Sequence, residues 1–141
     1  MIRDGRLWKR YEVKSGKQPP VGFEPANDVD DATGKQQGWV AVGGGAEDKW
    51  HREAFDKGVN HRGLPLQDGT YELCGPKVQG NPEGFEAHVL VPHGCELLID
   101  VPTTFDGLRE YLGSRDIEGV VWHHPDGRMV KIKGKDYGLC R

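Results

Sequence analysis

The sequence predicts an α+β fold in which antiparallel strands outnumber short helices. Runs rich in β-branched and aromatic residues recur at Arg6–Val13, Gly38–Val42, Tyr71–Cys74, Glu86–Pro92, Glu96–Ile99, Val120–Trp122 and Val130–Ile132. Only Ala46–Lys57 and the stretch after Thr103-Thr104 carry helical periodicity, and they do not alternate with the strands as βαβ units would require. The 21 glycines and 9 prolines mean many turns between short elements, and a length of 141 residues is that of one domain, 1–141.

The elements follow in order. Arg3-Asp4-Gly5 predicts a turn feeding a strand over Arg6–Val13. Met1-Ile2 is too short to support that strand, so a first strand is expected upstream. Residues 14–37 read as an acidic surface loop broken by Gly and Pro. After the strand ending at Val42, Gly43-Gly44-Gly45 is not followed by the Lys-Ser/Thr of a phosphate loop. Glu47 and Asp48 suit the first turn of the next helix, Trp50 and Ala54 its buried stripe, and Gly58 its end. Tyr71 and Leu73 alternate with Glu72 and Cys74, as in a half-buried strand. Val89–Val91 and Leu97–Ile99 read as core strands. Thr103 or Thr104 caps a helix through Leu112, with Phe105, Leu108, Tyr111 and Leu112 facing inward and Gly113 ending it.

The chemistry concentrates near the C-terminus. Val120-Val121-Trp122 and Val130-Lys131-Ile132 flank Pro125-Asp126-Gly127, and Asp-Gly is a preferred pair for a two-residue type I′ turn. That turn sets Trp122 opposite Lys131 and Val120 opposite Lys133, with Glu118 one pleat further on. Glu118, Lys131 and Lys133 then share one sheet face. A three-residue loop would turn the lysines away from the glutamate. Two fixed ammonium groups suit a phosphate, and a neighbouring carboxylate suits a hydrated Mg²⁺ bridging phosphate oxygens. A solvated strand with alternating charge is the plainer alternative.

Net charge is −3 with a pI near 6.1, which excludes a global basic field. Contact with nucleic acid must come from local clusters such as Arg128, Lys131, Lys133, Lys135 and Arg141, set against Asp126 and Asp136, for which an ordinary mixed surface is an equal alternative. Cys74, Cys95 and Cys140 are widely spaced and lack a Cys-x-x-Cys pattern, so reduced thiols in the cytoplasm are expected. No apolar run is long enough for a signal peptide or membrane span. His93 and His123-His124 match no tight zinc spacing, and His51 reads as surface.

The order Glu118-Gly119-Val120-Val121-Trp122 followed by Lys131-Ile132-Lys133 resembles motifs IV and V of the covalent nucleotidyltransferases, the ligases and capping enzymes. Tyr71-Glu72-Leu73-Cys74-Gly75 resembles their motif III. Gly38-Trp39-Val40, Gly80-Asn81-Pro82, Pro92-His93-Gly94 and Gly138-Leu139-Cys140 complete an ordered set similar to a family of ATP-dependent RNA ligases.

The resemblance implies a nucleotidyltransferase fold, with antiparallel sheets flanking a nucleotide cleft and short helices outside. It implies ATP and Mg²⁺ as cofactors, and RNA 5′-phosphate and 3′-hydroxyl ends as substrates joined through adenylylated intermediates. Lys131 and Lys133 would contact the α-phosphate, Glu118 would help hold metal, Glu72 would lie near the ribose, and Arg10 would match a nucleotide-binding arginine. The family's nucleophile sits in Lys-x-Asp-Gly. At Arg3-Asp4-Gly5 the lysine position is held by Ile2, so the nucleophile is expected upstream and residues 1–141 alone are expected to be inactive. A catalytically inactive nucleotide- or RNA-binding fragment of the same fold is the alternative.

Overall fold

A computed structural model describes residues 1–140; Arg141, counted in the basic cluster, lies outside the described residues. The chain is α+β, and every strand pairing is antiparallel. It divides into two compact units, Met1–Glu96 and Leu97–Arg141.

The first unit is built on a four-stranded sheet of order β1-β2-β4-β3. β1 is Ile2–Arg3, β2 Arg6–Val13, β3 Glu24–Pro25 and β4 Gln36–Ala41. Asp4-Gly5 makes the predicted turn, both residues with positive φ. β2 takes its main support from β4, against which it pairs from Trp8↔Ala41 to Val13↔Gln36. That partner strand is reached across the long acidic loop, while β1 pairs the other end of β2. Gly38 is required there, because a Cβ would strike the Glu24 carbonyl and the Phe23 ring.

A 3₁₀ turn over Ala46–Asp48 leads into α1, Lys49–Asp56, which buries Ala54 completely. β5 (Tyr71–Cys74) and β6 (Val89–Pro92) form a separate two-stranded sheet. Ile2, Leu7, Ala54 and Leu90 form the core of this unit. Glu86, Ala87 and His88, expected in this strand, fall outside β6.

The second unit contains α2 (Phe105–Gly113) and the hairpin β7 (Gly119–His123) and β8 (Met129–Lys133), closed by a 3₁₀ turn over Gly134–Tyr137. Thr104 caps α2 as predicted, its Oγ1 accepting from the Gly107 N–H at 3.2 Å. Leu108, Tyr111 and Leu112 are buried, and Tyr111 and Leu112 form a core with Val120. Phe105, expected inside, is 69% exposed and touches the Tyr137 ring at 4.9 Å between centroids. As the first helical residue after the cap, it lies off the inward stripe.

The expected core strand at Glu96–Ile99 does not form. Leu97 is 88% and Ile99 79% exposed. Among the described residues no strand pairs with this run, and a strand without a partner leaves its backbone groups to water whatever its β-propensity.

Candidate functional site

The hairpin carries the candidate site, in a register that corrects the predicted one. Val121 lies opposite Lys131, Trp122 opposite Val130 and Gly119 opposite Lys133. The loop has three residues, Pro125-Asp126-Gly127, closed by His124 N–H to the Arg128 carbonyl at 2.8 Å. Proline is the cause. Its φ is fixed near −65°, which fits the first corner of a type I turn, and it lacks the N–H a strand position would use. Asp126 keeps a negative φ, Gly127 takes the left-handed position at φ 92°, and Gly127 N–H reaches the His124 carbonyl at 2.9 Å.

This register puts Val120, Trp122 and Ile132 on the core side, and Val121, Lys131 and Lys133 on the other. By alternation alone, Glu118 would face away from the lysines. The backbone bends at Glu118, one residue before β7, and its carboxylate meets both lysines: Oε1 lies 2.6 Å from Lys133 Nζ and 3.6 Å from Lys131 Nζ. Gly119 permits this approach. A Cβ there would run into the Ile132 carbonyl oxygen and sit 2.9 Å from the Lys133 Cα, so only glycine lets the strands close at this point. The three groups therefore meet, by a bend rather than by the predicted pleat.

The electrostatics follow from the contacts. The Lys133 hydrogen bond, with help from the Lys131 charge, holds the Glu118 carboxyl below its ordinary pKa. Glu118 in turn raises the Lys133 ammonium. Near neutral pH the cluster is one carboxylate and two ammonium groups, a net positive charge. Glu118 is about half exposed, so solvent screens the grouping and it contributes little to stability. Asp136 braces the site, accepting the Lys133 N–H at 2.8 Å. Among the described residues no group of three or more His, Cys, Asp or Glu side chains is placed to hold a metal. One carboxylate still fits Mg²⁺, which commonly takes one or two protein carboxylates and draws its other ligands from phosphate and water.

Glu72 and Arg10 belong to the unit of residues 1–96. Glu72 is an exposed residue of β5, opposite Val91. Its charge adds to burial in pushing the neighbouring Cys74 thiol up to about 12, so that cysteine is inert. Arg10 is exposed on β2, opposite Trp39, its Nε donating to Gln37 Oε1 at 3.2 Å.

Two polar clusters escaped the sequence reading. Lys9 Nζ lies 2.5 Å from Asp48 Oδ1, and Asp48 Oδ2 accepts the Gly43 N–H at 2.7 Å. Asp48, expected in the first turn of the helix, is buried. His88 is also buried, stacked on Trp50 at 4.3 Å. Its Nε2 accepts the Lys77 N–H at 3.3 Å, so the neutral ring carries its proton on Nδ1 and directs it to Glu53 at 3.0 Å. A Cβ on Gly75 would come within 2.7 Å of the His88 Cα, which explains that glycine. The signal for His88 was its spacing of two from Leu90, which shares its burial.

The profile of a family described as RNA ligase 1 matches residues 59–141, a span that includes Glu72 and the whole hairpin but not Arg10. The chain is similar to RNA ligase 1 of Rattus norvegicus, 29% identical over 94% of this chain and 46% of that protein. It is 30% identical to RNA ligase 1 of Mus musculus, with 94% and 46% covered, and to that of Danio rerio, with 84% and 46% covered. The chain thus spans about half the length of the curated relatives it matches.

Proposed function

This chain belongs to the RNA ligase 1 family, and on that premise we propose that it supplies the phosphate-handling part of an ATP-dependent RNA ligase working in the cytoplasm. Its α+β elements are read as those of a nucleotidyltransferase fold. The observation that carries the reading is the meeting of Lys131, Lys133 and Glu118 at one end of a hairpin. The reaction joins an RNA 5′-phosphate to a 3′-hydroxyl after AMP has passed from ATP to the 5′-phosphate. The protein's share in such chemistry is positioning and charge stabilisation.

In this reading the α-phosphate of ATP replaces Glu118 as the counter-charge of Lys131 and Lys133. The two ammonium groups neutralise charge building on phosphorus. Glu118, released from Lys133, becomes available to Mg²⁺. The ion, when bound, supplies charge neutralisation across phosphate oxygens. Glu72 is assigned to the sugar and Arg10 to the nucleotide. Among the described residues no helix is long and apolar enough to cross a membrane.

Titration of ATP into the wild type and into Lys131→Ala and Lys133→Ala tests the assignment. Loss of one charge-assisted phosphate contact, about 1.5–3 kcal/mol, should weaken binding roughly 10- to 150-fold. Glu118→Gln should instead tighten ATP binding in the absence of Mg²⁺, because it removes the competing carboxylate, and should blunt the gain from adding Mg²⁺. Equal affinities for the wild type and both lysine variants would remove the role given to the pair.

A further inference from the structure

A cavity of about 460 Å³ opens beside β5, lined by the Asn60–Leu64 turn, the Gln67–Tyr71 approach to the strand, and Pro92-His93. Successive strand side chains point to opposite faces, and Tyr71 lines this cavity, so Glu72 serves the other side of β5. The cavity is therefore separate from the glutamate's face; its lining falls within the family match over residues 59–141, but the hairpin chemistry does not use it.

Its walls are pinned. Asp68 accepts the Asp4 and Gly5 N–H groups at 2.7 and 3.1 Å, and Gly69 exchanges two backbone bonds with Ile2. Asn60 Oδ1 takes the Arg62 and Leu64 N–H groups, and His93 N–H reaches the Thr70 carbonyl at 3.0 Å. The Tyr71 hydroxyl donates to the Gln67 carbonyl at 2.7 Å and accepts that residue's N–H at 3.1 Å, which fixes the ring. These bonds fix the backbone and the aromatic ring that line the cavity.

The lining contains no lysine or arginine, one carboxylate and one imidazole, that of His93, so it offers phosphate no fixed positive charge. What it offers is a held aromatic ring, the apolar surfaces of Leu64, Pro65 and Pro92, and the Gln67 amide and Thr70 hydroxyl, whose side chains make no hydrogen bond among the described residues. A flat heteroaromatic ring with hydrogen-bonding edges fits that combination. Arg62, in the same turn as Asn60, is half exposed with its guanidinium 3.9 Å from Glu96, so the cavity itself supplies no fixed cation. Resting on the ligase reading above, we propose that this cavity is a second site that takes an unpaired nucleobase of the RNA, while the hairpin lysines handle phosphate.

The test uses a 5′-phosphorylated hexaribonucleotide containing 4-thiouridine. Photocrosslinks should map to residues 64–71 or 92–93. Leu64→Trp, tolerable because Leu64 is 58% exposed, should fill the cavity, abolish those crosslinks and weaken oligonucleotide binding about tenfold, leaving ATP affinity unchanged. Thr70→Val, which keeps the side-chain shape, should weaken binding in the same direction by a smaller factor and guards against a folding artefact in the tryptophan variant. Oligonucleotide binding that is indifferent to both substitutions, or crosslinks confined to other residues, overturns the cavity assignment and leaves the ligase reading standing. Displacement by free adenosine at the same concentration as by the oligonucleotide overturns the RNA source. No oligonucleotide binding by the wild type overturns the ligase reading and this site with it.

Discussion

Lys9 and Asp48 show how a single buried charge pair is balanced. Burial would push the Asp48 carboxyl up, but the Lys9 hydrogen bond, the Gly43 N–H and the Lys9 and His51 charges outweigh it and hold the group below its ordinary pKa. A carboxyl depressed in the folded state contributes stability above its unfolded pKa, and that stability is lost as pH falls through the folded value. Asp48→Ala leaves the Lys9 ammonium, 22% exposed, without its partner and the Gly43 N–H without an acceptor. Breaking such a pair should cost about 3 kcal/mol at pH 7. The deficit should shrink in acid, below the Asp48 folded pKa, where the wild type has lost the same interaction. Urea unfolding of both proteins at neutral and acid pH reads this; a deficit independent of pH would mean the pair is not the source. Nothing in the sequence marked this contact. Lys9 and Asp48 are 39 residues apart, and each alone looks like a residue bound for water.

At the scale of elements, much was legible because local chemistry decides it. The strand Arg6–Val13, the strand Tyr71–Cys74 and the Thr104 cap follow from alternation and capping. The register of the hairpin was not, because Asp-Gly and Pro-Asp-Gly specify different loops and one residue of difference reverses every side chain. Glu118 joined the lysines only through a bend at a glycine boundary, which the two-residue period of a strand cannot foresee. The observed register makes a direct forecast. His124 bonds to Arg128 and Gly134 to Glu118, so 119–133, 121–131 and 123–129 are the non-hydrogen-bonded pairs, where α-carbons approach most closely. Nuclear Overhauser contacts between α-protons should therefore link Val121 to Lys131 and His123 to Met129. Gly119→Ala should destabilise the hairpin by about 1–3 kcal/mol, since the obstacle is backbone and cannot rotate away, and should weaken those contacts. An alanine variant with unchanged contacts and stability would show that Gly119 is not needed for the close approach.

On the scale of the whole molecule, each unit has its own core: Ile2, Leu7, Ala54 and Leu90 in residues 1–96, and Tyr111, Leu112 and Val120 in residues 97–141. The excess of acid over base falls in the first unit, while charges in the second balance, so its lysine hairpin is not set in a net negative segment. A unit of that size with a small buried core is marginal by itself. The amides of Val120, Trp122 and Ile132 should therefore exchange with solvent through openings of lower free energy than those of Leu7 and Leu90. ATP gives this expectation a functional edge. A ligand held by Lys131 and Lys133 stabilises the state that binds it, by about 2.7 kcal/mol at a hundred times its Kd. Hydrogen exchange with and without ATP should show protection rising first and most at β7 and β8. Equal opening free energies at all these amides would mean that the chain unfolds as one cooperative body. Protection gained only at Leu7 and Leu90 would place the nucleotide away from the hairpin.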